Sequence, residues 1–227
     1  MNKKIDIAIV GCGGIGNFHL DNLLKYEDVN IVALASTNKQ QLALILKKAP
    51  NAKGYSSAKE MIEKEKIDCL FVCVTPHKHF NIETLAADKK INLYIEKPIC
   101  LDYEQGEKTA KVIEKSGIIC AVGYHERYNP VLNQLKNYIK QTNPLLAIGK
   151  WIDFLPPPLW WRDMKKSGGQ IVEQTTHIFD MLRYILGEGK IISGVTQSGL
   201  NKNIEKYNTQ DCSVVTIKFF CGLLATI

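Results

Sequence analysis

The sequence predicts an α/β protein: an N-terminal doubly wound parallel sheet, then an α+β domain with an open, mostly antiparallel sheet. Three observations predict it. A short apolar run, Ile5-Asp6-Ile7-Ala8-Ile9-Val10, stops at glycine and leads into Gly11-Cys12-Gly13-Gly14-Ile15-Gly16. Apolar runs and helical patterns then alternate as far as Val122, which is how parallel strands joined by crossover helices read in sequence. Beyond Gly187 the pattern becomes a series of strand-like segments with a tight Cys221-Gly222 turn, which favours antiparallel hairpins. A polar stretch beginning at Gly123 marks the expected boundary between domains 1–122 and 123–227.

The first run is nearly all β-branched or small apolar residues, as in a strand buried on both faces. In the G-x-G-x-x-G turn, Gly11 permits the sharp exit from the strand. Gly13 lets the backbone approach a pyrophosphate, and Gly16 lets the next helix pack on the sheet. That helix, from Gly14 to about Tyr26, presents free N–H groups to an anion. A second strand, Val29 to Ala35, ends in Ser36-Thr37-Asn38-Lys39. An acidic residue at this point would bind a ribose 2′-hydroxyl. Two hydroxyls, an amide and an ammonium suit a 2′-phosphate instead, so NADP is preferred over NAD. Asn38 or Thr37 also reads as the cap of the helix Lys39 to Lys48.

Tyr55 to Lys66 reads as a short strand or turn and an amphipathic helix. Asp68 to Val74 is a third buried strand, ending at Thr75-Pro76-His77-Lys78-His79, with His79 expected early on the following helix, beside the cofactor. Two histidines without a third ligand do not make a metal site, and no metal is expected. The strand Ile91 to Ile95 ends in Glu96-Lys97-Pro98. This puts an amine at the crevice mouth, where burial and neighbours tune a pKa for proton transfer. A helix from Asp102 to Lys115 and a strand from Ile118 to Val122 complete the domain.

In the second half, Tyr124, Arg127 and other polar residues crowd the end of that strand, and a helix follows to about Lys140. A strand is expected near Leu145 to Phe154, then a stiff loop through Pro156-Pro157-Pro158. Trp161 and Arg162 either line a pocket or plug a domain seam. On the predicted helix Gln170 to Leu186, Glu173, His177 and Asp180 share one face, with Ile178, Met181, Leu182 and Ile185 on the other. Buried carboxylates and an imidazole are costly without purpose, so the polar face is a catalytic candidate. An internal Asp180–Arg183 pair is the structural alternative.

The 227 residues are 45% hydrophobic, enough for one large core or two small ones. Of the 29 basic residues in a net charge of +6, 26 are Lys, and they alternate with Glu in stretches such as Lys59 to Lys66. That is a solvated helix face, so no nucleic-acid partner is expected. No apolar stretch reaches spanning length, so no membrane partner is expected either. Seven Cys without a C-x-x-C pair fit reduced thiols in the cytoplasm.

These residues in this order resemble the Gfo/Idh/MocA family of NAD(P)-dependent oxidoreductases. The resemblance rests on the glycine motif, Thr75-Pro76-x-x-His79, Glu96-Lys97-Pro98, Arg127 with Asn129-Pro130, and Ser167-Gly168-Gly169 leading to His177 and Asp180. It implies a Rossmann domain followed by an α/β domain. It implies cofactor contacts from Gly14, Ile15, Thr75, Pro76, His79, Glu96 and Lys97, besides the glycines and Ser36, Thr37 and Lys39. Lys97 is the implied catalytic lysine and His177 its partner, supplied by the second domain, with Glu173 orienting one of them. Tyr124, Arg127, Trp161, Arg162 and Asp180 are the substrate candidates. The implied substrate is a small molecule, a polyol, sugar or related cyclic alcohol, and the implied assembly is a homo-oligomer through the C-terminal sheet. Two features depart from the family pattern. Glu173 stands where most members carry Asp, and the family's chains run longer, so the sheet is expected to be unfinished at Ile227, with an exposed edge. The rival reading is a nucleotide-binding regulator or an inactive fragment.

Overall fold

The computed structural model describes residues 4–79 and 81–227. They form two compact units, one up to Gly123 and one from Tyr124 to Ile227.

The first unit holds a six-stranded sheet of β1 (Ile5–Val10), β2 (Val29–Ala35), β3 (Lys53–Tyr55), β4 (Cys69–Val72), β5 (Asn92–Ile95) and β6 (Cys120–Val122). Every pairing is parallel, in the order β3-β2-β1-β4-β5-β6. The order reverses between β1 and β4, which puts the ligand crevice beyond their carboxyl ends. The helices are α1 (Gly14–Leu23), α2 (Lys39–Leu46), α3 (Ala58–Lys64), α4 (Asn81–Asp88) and α5 (Tyr103–Ser116). Their stops and starts follow local chemistry. Ser57 and Asp102 accept backbone N–H bonds at the starts of α3 and α5, and Gly117 takes the left-handed conformation after α5. Side chains alternate between two cores. Ala8, Val10, Leu70, Val72, Leu93 and Ile95 lie in one, and Ile7, Ile9, Ile31 and Leu34 in the other. Burial on both faces is why these strands read as continuous apolar runs.

In the second unit, α6 (Pro130–Thr142) begins at an Asn129 cap with proline in its first turn. Then come β7 (Leu146–Ile148), α7 (Met164–Ser167), α8 (Thr176–Leu186), β8 (Gly189–Gln197), β9 (Cys212–Phe219) and β10 (Leu224–Thr226). The sheet order is β7-β10-β9-β8, antiparallel except for β10 on β7. Ile178 and Leu182 of α8 pack on Val215, Ile217, Phe219 and Ala225. The strand expected over Leu145 to Phe154 is only three residues long. Pairing ends when Gly149 N–H reaches Thr226, and a Cβ at Gly149 would lie 2.4 Å from Ile178 Cγ2. The chain there is pressed against α8 and leaves the sheet.

The predicted helix Gln170 to Leu186 is present and continuous, with a π segment within it. Ile171–Thr175 form a π-turn before α8. The β-branched residues Ile171, Val172, Thr175 and Thr176 are poor α-formers, and an extra residue in the turn resets the face that follows.

Candidate active site

The glycine turn has the steric form the motif demands. Gly11 sits at φ +97, and a Cβ there would lie 2.2 Å from the Cys73 carbonyl oxygen, so the ends of β1 and β4 nearly touch. A Cβ on Gly16 would lie 1.8 Å from the Gly11 carbonyl oxygen. Gly13 and Gly14 differ: a Cβ on either meets nothing within 4 Å. Gly13 is the N-cap of α1 and supplies no side-chain acceptor to its first N–H groups. Beside this open cradle, at the end of β4, the buried Thr75 hydroxyl has no hydrogen-bond partner. Unfilled space, free donors and an orphan hydroxyl fit a dinucleotide's pyrophosphate. Ile15 is exposed on the first turn of α1, and Pro76, next to Thr75, is buried.

At the end of β2 the Asn38 side chain caps α2, accepting from Gln40 N–H and Gln41 N–H. Ser36 Oγ accepts from Asn38 N–H. Thr37 and Lys39 are exposed. His79 is not on α4. It precedes that helix, buried, with Nδ1 2.6 Å from Glu83 Oε1. Both side chains are almost fully buried, at 1% and 2% exposed.

Beyond β5, Glu96 is buried and Lys97 half-buried. Glu96 Oε1 lies 2.7 Å from His19 Nε2, and Oε2 accepts from the Lys97 backbone N–H at 3.2 Å. Burial raises the Glu96 pKa. The His19 bond and charge, with the Lys97 N–H and ammonium, outweigh it and leave the carboxyl below its ordinary range. Sequence reading missed His19: it lies 77 residues away, and no local pattern links it to Glu96.

In the second unit, Arg127 and Asp180 meet. Arg127 Nε donates to Asp180 Oδ2 at 2.7 Å and Nη2 to Oδ1. Both were expected as substrate contacts, and each has a bidentate partner in the other. Arg183 binds Glu188 rather than Asp180. Asp180 is 6% exposed and the Arg127 side chain 43%. Arg127→Ala should therefore cost about 2 kcal/mol of stability, less than a fully buried pair because the guanidinium is partly solvated. Denaturant unfolding with and without the substitution checks this. An unchanged midpoint would mean that the pair is idle.

His177 is 4% exposed. Its ring stacks on Trp151 at 5.4 Å and meets the edges of His125 at 4.7 Å and Tyr124 at 6.2 Å. Tyr124 OH lies 3.2 Å from Thr176 Oγ1. Glu173, on the π-turn, is also buried. Trp151 lines a cavity of about 320 Å3 with Asp153, Gln170, Gln174, Thr175 and Ser213. Trp161 is buried, while Arg162 Nη1 donates to Glu205 carbonyl oxygen; neither lines this cavity, nor do Tyr124, Arg127, Glu173, His177 or Asp180. Sequence reading missed Trp151, His125 and Gln174, because Trp151 sat in a stretch read as plain strand. Among the described residues no group of His, Cys, Asp and Glu could hold a metal, and no helix is long and apolar enough to cross a membrane.

The sheet order and the open glycine turn define the first unit as a dinucleotide-binding Rossmann domain. Comparison with known proteins narrows that class. Residues 5–124 match the family model described as the oxidoreductase family, NAD-binding Rossmann fold, and residues 145–227 match its C-terminal alpha/beta domain. The chain belongs to the Gfo/Idh/MocA oxidoreductase family. It is 28% identical over 231 residues to a myo-inositol 2-dehydrogenase of Thermotoga maritima, covering 97% of this chain and 67% of that protein. It is 25% identical over 227 residues to a scyllo-inositol 2-dehydrogenase (NAD(+)) of Bacillus subtilis, covering 98% and 66%. The crystal structure of a probable dehydrogenase from Thermotoga maritima superposes with a TM-score of 0.87 at 27% identity, over 98% of this chain and 68% of that one. The chain thus spans about two thirds of the length of these relatives.

Proposed function

We propose that the protein is an NAD(P)-dependent dehydrogenase or reductase acting on a CH–OH group of a cyclic polyol or related sugar. The observation that carries the nucleotide half is the pair of open positions at Gly13 and Gly14 beside tightly packed Gly11 and Gly16. The substrate half is supported by the inositols in the names of the two relatives. A bound nicotinamide supplies the hydride donor or acceptor. The chain's own residues supply the rest: Lys97 or His177 exchanges the hydroxyl proton, and Glu173 orients one of them. The oxidised or reduced product of each member of a polyol and keto-polyol panel, followed with both nucleotides, tests the reading. Nucleotide binding with no turnover anywhere would favour a regulatory protein.

NADP is the preferred nucleotide in this proposal. Ser36, Thr37 and Lys39 carry no negative charge to repel a 2′-phosphate. With charge-assisted bonds to the phosphate, NADPH is expected to bind about tenfold tighter than NADH, measured by fluorescence titration. Tighter NADH binding would overturn the preference. Self-association is proposed through the outer face of the second sheet, where Leu146, Ile148, Val195, Val214 and Leu224 are exposed. Seven unpaired cysteines support a reducing compartment, the cytoplasm.

A further inference from the structure

We propose that His19 is a positioning residue for Lys97: its ring holds the Glu96 carboxylate in one orientation, and that carboxylate fixes the backbone at Lys97. The inference rests on the reading of Lys97 as a proton-transfer group.

The arrangement joins three parts of the first unit. His19 comes from α1, the helix that begins in the glycine turn. Glu96 and Lys97 follow β5. The ring of His19 has little freedom. It packs at 5.7 Å against Phe18, 5.5 Å against Phe71 and 5.0 Å against Tyr94, and Phe71 and Tyr94 stack on each other at 4.7 Å. Phe71 and Tyr94 sit opposite each other in the β4–β5 register, so the sheet itself sets the ring's bed. One nitrogen of that ring is then aimed at Glu96 Oε1. The carboxylate's other oxygen takes the Lys97 N–H, and Tyr94 OH lies 3.4 Å from Oε1.

The space around the carboxylate is closed on the remaining side. A Cβ on Gly123 would come within 3.0 Å of both Glu96 oxygens and of the Tyr94 hydroxyl. The ionisable groups facing Glu96 are thus His19 from α1, Tyr94 from β5, Lys97, and the Cys73 thiol just after β4. The first three stabilise the carboxylate by a hydrogen bond or a positive charge, and the buried thiol, its pKa pushed up by burial, stays neutral. Without the His19 donor, burial is opposed by fewer partners, so the Glu96 pKa rises. The carboxylate then protonates or turns away as pH falls, and the grip on the Lys97 backbone loosens.

The test compares His19→Phe, which keeps an aromatic ring without a donor, with His19→Gln, whose amide can donate from a similar position. The amide 15N–1H signal of Lys97 is followed against pH in each, with nucleotide affinity, kcat and KM. In the wild type the Lys97 amide is expected to titrate with Glu96 at acid pH. In His19→Phe that titration moves to higher pH, kcat falls about tenfold, and KM and nucleotide affinity stay within about threefold. His19→Gln restores most of both. A second arm uses Glu96→Gln: the acid titration of the Lys97 amide disappears, and the double variant with His19→Phe loses no more kcat than the worse single variant. An unmoved Lys97 titration in His19→Phe, or additive losses in the double variant, would overturn the proposal. Absence of polyol turnover in the wild type would instead remove the dehydrogenase reading, while the amide titration still reports on the His19–Glu96–Lys97 linkage.

Discussion

Lys97→Ala is expected to lower kcat by about a hundredfold or more, with nucleotide affinity unchanged within about threefold. A positioned proton-transfer group contributes on this scale because the alternative donor or acceptor is water, which is neither matched in pKa nor held in place. Lys97 is suited to the part by its site. It stands two residues past the buried strand β5, half-buried itself, next to an ionised carboxylate. Alanine keeps the backbone N–H that Glu96 accepts, so the fold around it should persist. Lys97→Arg should fare no better than alanine, since a guanidinium holds its proton at any working pH. The kinetic comparison uses saturating nucleotide, so that a binding defect is not read as a chemical one. Unchanged turnover in the alanine variant would take the lysine out of the reaction and leave His177 as the candidate.

Two valine substitutions in the glycine turn should part company completely. Gly16→Val would drive a Cβ to 1.8 Å from a backbone oxygen, where nothing flexible can yield. A loss of about 3 kcal/mol or more is expected, read as a fall in the denaturant midpoint. A Cβ at Gly13 meets no atom within 4 Å, and φ there is −75, which any residue adopts. The stability of Gly13→Val should fall by no more than about 1 kcal/mol, the cost of valine in place of glycine at an N-cap, yet nucleotide affinity should fall by about a hundredfold or more, because the side chain fills the space a pyrophosphate needs. Thermal or denaturant unfolding and nucleotide titration on the two variants separate packing from binding. A Gly13→Val protein that binds nucleotide normally would reduce the motif to an ordinary turn.

The strands of the first unit were legible because each is buried on both faces and therefore nearly uniform in residue type, as in Ile5 to Val10. The glycine positions were legible because a tight turn and a close helix contact leave no other residue type. What stayed hidden depends on distance in sequence or on subtle backbone geometry. Arg127 finds Asp180 across 53 residues, and His19 finds Glu96 across 77; periodicity carries no trace of either. The π-turn at Ile171–Thr175 keeps the same apolar residues that an α-helix would use. Only its β-branched run hinted at weakness. The early end of β7 was hidden for another reason: Trp151, Ile152 and Phe154 look like strand residues, but Trp151 turns to stack on His177. The cap of α2 at Asn38, by contrast, was legible from residue type alone, and the structure has it.

In the proposed reaction, hydride passes between a nicotinamide and the carbinol carbon of a cyclic polyol. The most direct measurement incubates the protein with an inositol deuterated at its ring carbons and oxidised NADP or NAD, and follows deuterium by NMR and mass spectrometry. The predicted result is deuterium on the nicotinamide ring, one for each ketone formed. Nucleotide that binds tightly yet stays free of deuterium across inositols and other cyclic polyols would contradict it.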